Sequence, residues 1–108
     1  MTDCELLELA AKSAGIPIKP DFAERYDYYM SDKLMWSPLT DDGDALRLAV
    51  KLRIQVTPGT YNKDEFSAYN GERHAEAHEW YAPGVQDECA ATRRAIVRAA
   101  AEIGKGMP

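Results

Sequence analysis

Three residues with metal-binding side chains alternate along the sequence at His74, Glu76 and His78. In an extended strand, alternate residues point to the same side, so two imidazoles and one carboxylate would lie within reach of one divalent ion. Such a site would support metal-dependent hydrolysis. It also requires an open coordination position and a base that activates water, and the sequence supplies neither. A solvated strand face or a subunit contact is the favoured interpretation, so we predict no metal ion and keep the three residues only as weak candidates.

A second candidate site is a pair of arginines near the carboxyl end of the sequence. Arg94 and Arg98 are one helical turn apart, and such a pair can grip a phosphate group or meet an acidic partner. Glu102 lies one turn beyond Arg98 and would form an ordinary intrahelical ion pair with it. We favour the intrahelical pair and keep Arg94 and Arg98 as tentative ligand- or partner-binding residues.

Amphipathic aromatic residues are numerous for a chain of this size. They pack cores first and protein interfaces second, and a small core cannot enclose all of them. Some should therefore lie at a protein contact. The tentative binding residues of this kind are Tyr28, Trp36 and Trp80.

Asp41, Asp42 and Asp44 surround Gly43 and superficially resemble a calcium-binding loop. The later bidentate glutamate and the flanking helix pair of such a loop are missing. Capping of a helix start explains the cluster better, because carboxylates are favoured at the positive end of a helix dipole. Asp42 or Asp44 would then also hold the loop that contains Trp36.

Three helices must position these residues. Thr2 and Glu5 form a capping box at the start of the first helix, and Gly15 supplies its left-handed end. Apolar residues cover more than half of the circumference of the second helix, which predicts that this helix is central to the core. The predicted helices span residues 3–14, 42–52 and 87–103.

Four short strands are predicted, over residues 24–30, 54–57, 65–69 and 73–81. Asn70-Gly71 is typical of a two-residue hairpin turn, which would place Phe66 opposite Ala75 and Glu65 opposite Glu76. The core face of the hairpin would then carry Phe66, Ala68, Ala75 and Ala77. The other face would carry His74, Glu76, His78 and Trp80.

The resulting order α-β-α-β-β-β-α predicts an α+β fold with a small, mostly antiparallel sheet. The second and third helices flank three consecutive strands and are expected on one face of that sheet. The first helix would cover the other face. We therefore predict a three-layer α/β/α sandwich that forms one domain over residues 1–108.

Composition narrows the classes of function. The chain has 108 residues, of which 45% are hydrophobic, and a formal net charge of −5 with a pI near 5.0. This charge disfavours binding to nucleic acid. No apolar run is long enough to span a membrane, the first residues do not resemble a signal peptide, and Cys4 and Cys89 have no ligand-like spacing. We expect a cytoplasmic protein with reduced thiols, no cofactor and no membrane or nucleic-acid partner.

Three segments, over residues 2–11, 36–52 and 90–103, resemble a known family. The most specific of them is Trp-x-Pro-Leu-x-x-Asp-x-Asp-Ala, which begins at Trp36. The sequence is similar there to the phage ABA sandwich domain, a group of small bacteriophage and prophage proteins with no agreed biochemical role. The resemblance implies an α/β/α sandwich made by a phage in the cytoplasm of an infected bacterium. It brings no catalytic residues.

Three hypotheses about function follow. In the first, the protein is a non-enzymatic phage accessory protein whose acidic, aromatic-bearing surface binds a host protein, with inhibition of an antiviral defence factor as one role. In the second, arginines of the third helix and aromatic residues capture a small phosphorylated nucleotide. In the third, His74, Glu76 and His78 form a metal-dependent hydrolase. The first is favoured, and a homodimer is compatible with each.

Overall fold

The computed structural model describes residues 2–20, 28–30, 35–58, 65–80 and 87–108. Side-chain caps determine where each of its helices starts. At the first helix, the Thr2 hydroxyl accepts a hydrogen bond from the Glu5 N–H, and the Glu5 carboxylate accepts one from the Thr2 N–H. Asp41 and Asp87 cap the other two helices, where their carboxylates accept hydrogen bonds from the Asp44 and Ala90 N–H groups. The helices are α1 (Asp3–Ala14), α2 (Asp42–Leu52) and α3 (Glu88–Lys105). The bounds predicted for α1 and α2 are confirmed.

The described strands form two separate three-stranded sheets, and every pairing between strands is antiparallel. The first sheet contains β1 (Ile18–Pro20), β2 (Tyr28–Met30) and β3 (Met35–Trp36). The second contains β4 (Gln55–Pro58), β5 (Glu65–Asn70) and β6 (Ala75–Trp80). The predicted α+β class is confirmed. The first sheet was predicted only as one strand over residues 24–30, of which 24–27 lie outside the described residues.

The hairpin between β5 and β6 differs from the predicted register. Its turn has four residues, Gly71 to His74, and Asn70 pairs with Ala75 at the end of the ladder. Asn70 is buried because its side chain fastens the hairpin to α2: Nδ2 donates to the Leu52 carbonyl at 2.6 Å, and Oδ1 accepts from the Arg73 N–H at 3.0 Å. These hydrogen bonds keep Asn70 at the end of the strand, which explains why the predicted two-residue turn does not form.

The predicted core face of the hairpin is nevertheless confirmed. The observed register differs from the predicted one by an even number of residues, and an even shift leaves each side chain on the same face of a sheet. The buried side chains on that face are Phe66, Ala68, Ala75 and Ala77.

Helix α3, and not α2, is the central element of the core. It packs against α1, α2 and all three strands of the second sheet. Small side chains make this possible, since alanines on several sides of α3 allow neighbours to approach closely. Helices α1 and α3 approach closely at Gly104, where an added Cβ would lie 2.2 Å from the carbonyl oxygen of Leu9 in α1. The prediction that α2 is central is therefore wrong, and Leu46 and Val50 of α2 are exposed.

The predicted layering is not confirmed. Helices α2 and α3 share one side of the second sheet, as a groove floored by Val56 and Phe66 lies between them. Helix α1, however, packs chiefly on α3, and the far face of β5 and β6 carries exposed side chains. Across the described residues, no helix is both long and apolar enough to cross a membrane.

Candidate functional site

The candidate site is the face of the second sheet that points away from the helices, which we call the outer face. Alternate side chains of β5 and β6 face the helices and are buried or half-buried, and the side chains between them form the outer face. The outer face carries Glu65, Ser67 and Tyr69 from β5 and Glu76, His78 and Trp80 from β6.

Each large aromatic side chain of the outer face lies directly across from a carboxylate. Trp80 pairs with Glu65, and Tyr69 pairs with Glu76. The aromatic residues are well exposed, with 58% of Trp80 and 48% of Tyr69 accessible to solvent. A carboxylate beside an aromatic ring suits a guanidinium or ammonium group, which the acid attracts by charge and the ring by a cation–π contact. The outer face therefore has the chemistry to bind basic side chains.

His78 lies between the two carboxylates of the outer face. Its Nδ1 is 2.5 Å from Glu65 Oε1, and its Nε2 is 2.8 Å from Glu76 Oε1. The hydrogen bond to Glu76 raises the pKa of His78 most strongly, and burial, the next largest effect, lowers it. The hydrogen bond to Glu65 and the charges of Glu65 and Glu76 raise it further. The net result is a pKa above the ordinary value of 6.5. When protonated, His78 partly neutralises the face, and when neutral it leaves both carboxylates uncompensated.

We expect the pKa of His78 to fall toward its ordinary value in Glu76→Gln, because the substitution removes the hydrogen bond that raises it most. A raised pKa in the folded state means that the contribution to stability is complete below about pH 6.5 and is lost as the pH rises through the folded pKa. An NMR titration of the His78 ring protons measures the change. Glu102→Gln, the same chemical change on α3, should leave the value in place. A wild-type pKa at or below the ordinary value would contradict the assignment.

Arg94 and Arg98 lie on the helix side of β6, behind the outer face, and are engaged by the protein itself. Arg98 donates to Glu79 Oε1 at 2.6 Å and to the backbone carbonyl of His78 at 2.8 Å. Arg94 pairs with Asp3 and with Glu79. The predicted Arg98–Glu102 pair is wrong, since Glu102 pairs with Lys105. The two arginines therefore hold β6 and α1 to α3 and support the outer face from behind.

The remaining predicted site residues are scattered. Trp36 belongs to the core, with 2% of its surface accessible, so the structure does not place it on a binding surface. Tyr28 pairs with Trp36 in the first sheet, but its side chain lies outside the described part of the structure. His74 is in the hairpin turn with φ 52°, so it does not share a strand face with Glu76 and His78. The described residues contain no group of three or more His, Cys, Asp or Glu side chains able to hold a metal ion.

The aspartates at the start of α2 have structural roles. Asp41 accepts a hydrogen bond from the Asp44 N–H at 2.8 Å, which caps the helix. Asp44 is buried and accepts from the Ser37 N–H at 2.9 Å and from Arg47 at 2.7 Å. The prediction that one of these carboxylates holds the loop after Trp36 is confirmed for Asp44.

A further surface was missed by the sequence reasoning. The groove between α2 and α3 is lined mainly by apolar side chains, and Leu46 stands exposed at its edge. The wide apolar surface of α2 in the sequence could have indicated this groove. Such a pattern is compatible with an exposed apolar stripe as well as with a helix at the centre of the core.

Comparison of the chain with protein-family models, with curated protein sequences and with solved structures finds no significant match. The resemblance to the phage ABA sandwich domain stays a prediction. The function must therefore be argued from the surfaces described above.

Proposed function

We propose that this protein is a non-enzymatic binding protein whose outer face binds a basic segment of another protein. The observation that carries the proposal is the pairing of each exposed aromatic ring, Trp80 and Tyr69, with a carboxylate across the strand. From the resemblance to phage proteins we further propose that the partner is a protein of the bacterial host, and that occupying it counters host defence.

Residue chemistry supports a protein partner. Tryptophan and tyrosine are enriched among the few residues that contribute most of the energy of a protein interface. A sheet face with rigid aromatic side chains loses little conformational entropy when it binds. The outer face thus combines a preformed surface with anchor residues.

Charge supports a basic partner. The chain carries a net charge of −5, and Glu65 and Glu76 add negative charge to the outer face itself. Such a field accelerates encounters with positively charged surfaces and weakens as salt is added. A host protein that normally handles nucleic acid would present a surface of this kind.

The experiment is capture of proteins from a bacterial lysate by the immobilised protein, compared between variants. We expect one recurrent protein to be retained by the wild type and by Glu102→Gln, and to be lost from Trp80→Ala and weakened in Glu65→Gln. For the isolated partner, Trp80→Ala should weaken binding by roughly 30-fold, as expected for removal of an interface anchor.

The variants make the result decisive, because Glu102→Gln and Glu65→Gln are the same chemical change on different surfaces. Retention that is equal for wild type and Trp80→Ala would contradict the proposal, as would the absence of any retained protein. Partner retention that does not fall with added salt would contradict the role of charge.

A further inference from the structure

Helix α2 exposes two large apolar side chains on the side of the molecule away from the outer face. Leu46 and Val50 have 63% and 66% of their surface accessible. They are four residues apart, so they lie on the same side of the helix. Exposed aliphatic pairs of this kind mark interaction surfaces when they adjoin further apolar surface.

Such a surface adjoins them. The groove between α2 and α3 has a volume of about 340 Å³ and is lined by apolar side chains from both helices and from the sheet. They include Ala45, Ala49, Val56, Phe66 and Ile96. The exposed pair and the groove thus form one continuous apolar surface, and in a two-fold contact each copy presents this same surface to the other.

The charges of α2 indicate what covers this surface. The exposed acidic residues Asp41 and Asp42 are at its amino end, and the exposed basic residues Lys51 and Arg53 are at its carboxyl end, whereas Asp44 is buried and Arg47 pairs with Asp41 and Asp44. Two parallel copies of α2 would place like charges together. Two antiparallel copies would place the acidic end of each against the basic end of the other, and would also oppose the helix dipoles.

We propose that a second copy of this chain binds here, with the two α2 helices antiparallel across a two-fold axis between Leu46 and Val50. Leu46 of each copy then packs against Val50 of the other. Asp42 of each copy lies next to Arg53 of the other. Within its own chain Asp42 pairs with Arg93, but its side chain stays 70% exposed and can accept a second cation, and Arg53 is also exposed. The inference is independent of the proposed function, because the outer face is on the other side of the second sheet.

The test is sedimentation equilibrium of the full chain over a range of concentrations. The wild type should show a monomer–dimer equilibrium. Leu46→Glu should weaken it by roughly a hundredfold, because the substitution occurs twice in a two-fold interface. Leu46 is exposed, so the variant should fold with the circular dichroism spectrum of the wild type.

A second variant tests the charges. Arg53→Glu keeps the apolar surface and places two carboxylates together at each end of the contact, so it should weaken the dimer most at low salt. Trp80→Ala, on the outer face, should leave the dimer unchanged. A wild type that stays monomeric at all concentrations would overturn the proposal, and so would a dimer that Leu46→Glu leaves intact, which would place the contact elsewhere.

Discussion

Gly104→Ala is expected to destabilise the fold by about 3 kcal/mol or more, the largest effect of any single methyl group predicted from this structure. The new Cβ would lie 2.2 Å from the Leu9 carbonyl oxygen and 2.9 Å from its carbonyl carbon. Both atoms are backbone atoms of α1, so the clash is relieved only when α1 moves away from α3. That movement opens the alanine-lined contact around Ala10 and Ala100, which is fully buried.

Helix propensity alone predicts the opposite change in stability for this substitution, so the direction of the measured change is informative. Alanine is favoured over glycine in a helix by about 1 kcal/mol, so Gly104→Ala would stabilise the protein if there were room for the methyl group. Gly106→Ala is the matched control, because its Cβ would meet only Ile103 O at 3.6 Å and its φ is −79°. Thermal unfolding should show a loss of roughly 13 °C or more for the first variant and little change for the second. Equal stability of the two would contradict the close approach of α1 and α3.

Asn70→Asp is expected to cost about 3 kcal/mol at neutral pH. The substitution replaces the N–H donor that lies 2.6 Å from the Leu52 carbonyl with a carboxylate oxygen. That carbonyl is at the negative end of α2, so the new charge is opposed both by the lost hydrogen bond and by the helix dipole. Because folding disfavours the charged form of the new carboxylate, protonation of this group reduces the loss of stability. The deficit relative to wild type should therefore shrink as the pH falls toward about 4.

Asn70→Ala provides the comparison, since it removes the hydrogen bond to the Leu52 carbonyl without adding a charge and also removes the bond that Oδ1 accepts from the Arg73 N–H. Its deficit at neutral pH should be smaller than that of Asn70→Asp and should not shrink in the same way at low pH. Urea unfolding at several pH values measures all three proteins. An Asn70→Asp protein as stable as the wild type at neutral pH would show that Asn70 does not hold the hairpin to α2.

Local signals predicted the helices because each cap acts within a few residues. Thr2 and Glu5 determine the start of α1 and Gly15 its end, through contacts between residues that are close in the sequence. The hairpin register depended instead on a contact between Asn70 and Leu52, which are far apart in sequence. Asn70-Gly71 favours a short turn, and the tertiary hydrogen bond overrides that preference.

The candidate site was predictable in part for the same reason. Strand alternation placed Glu76, His78 and Trp80 on one face, and the structure confirms that grouping. The shift of register moved His74 into the turn and brought Glu65 opposite Trp80. The partners of Arg94 and Arg98 are Asp3 and Glu79, and only the packing of α3 against α1 and β6 brings them together.

The most direct test of the proposed function is an NMR titration that follows the indole N–H signals of the two tryptophans. The probe is a short synthetic peptide that alternates arginine with apolar residues, and an acidic peptide of the same length serves as the control. Trp36 is buried in the core and Trp80 is exposed on the outer face. The basic peptide should shift the Trp80 signal and the backbone signals of β5 and β6, while the Trp36 signal stays in place. Shifts confined to α2 and α3, or equal shifts with the acidic peptide, would contradict the claim that the outer face binds a basic partner.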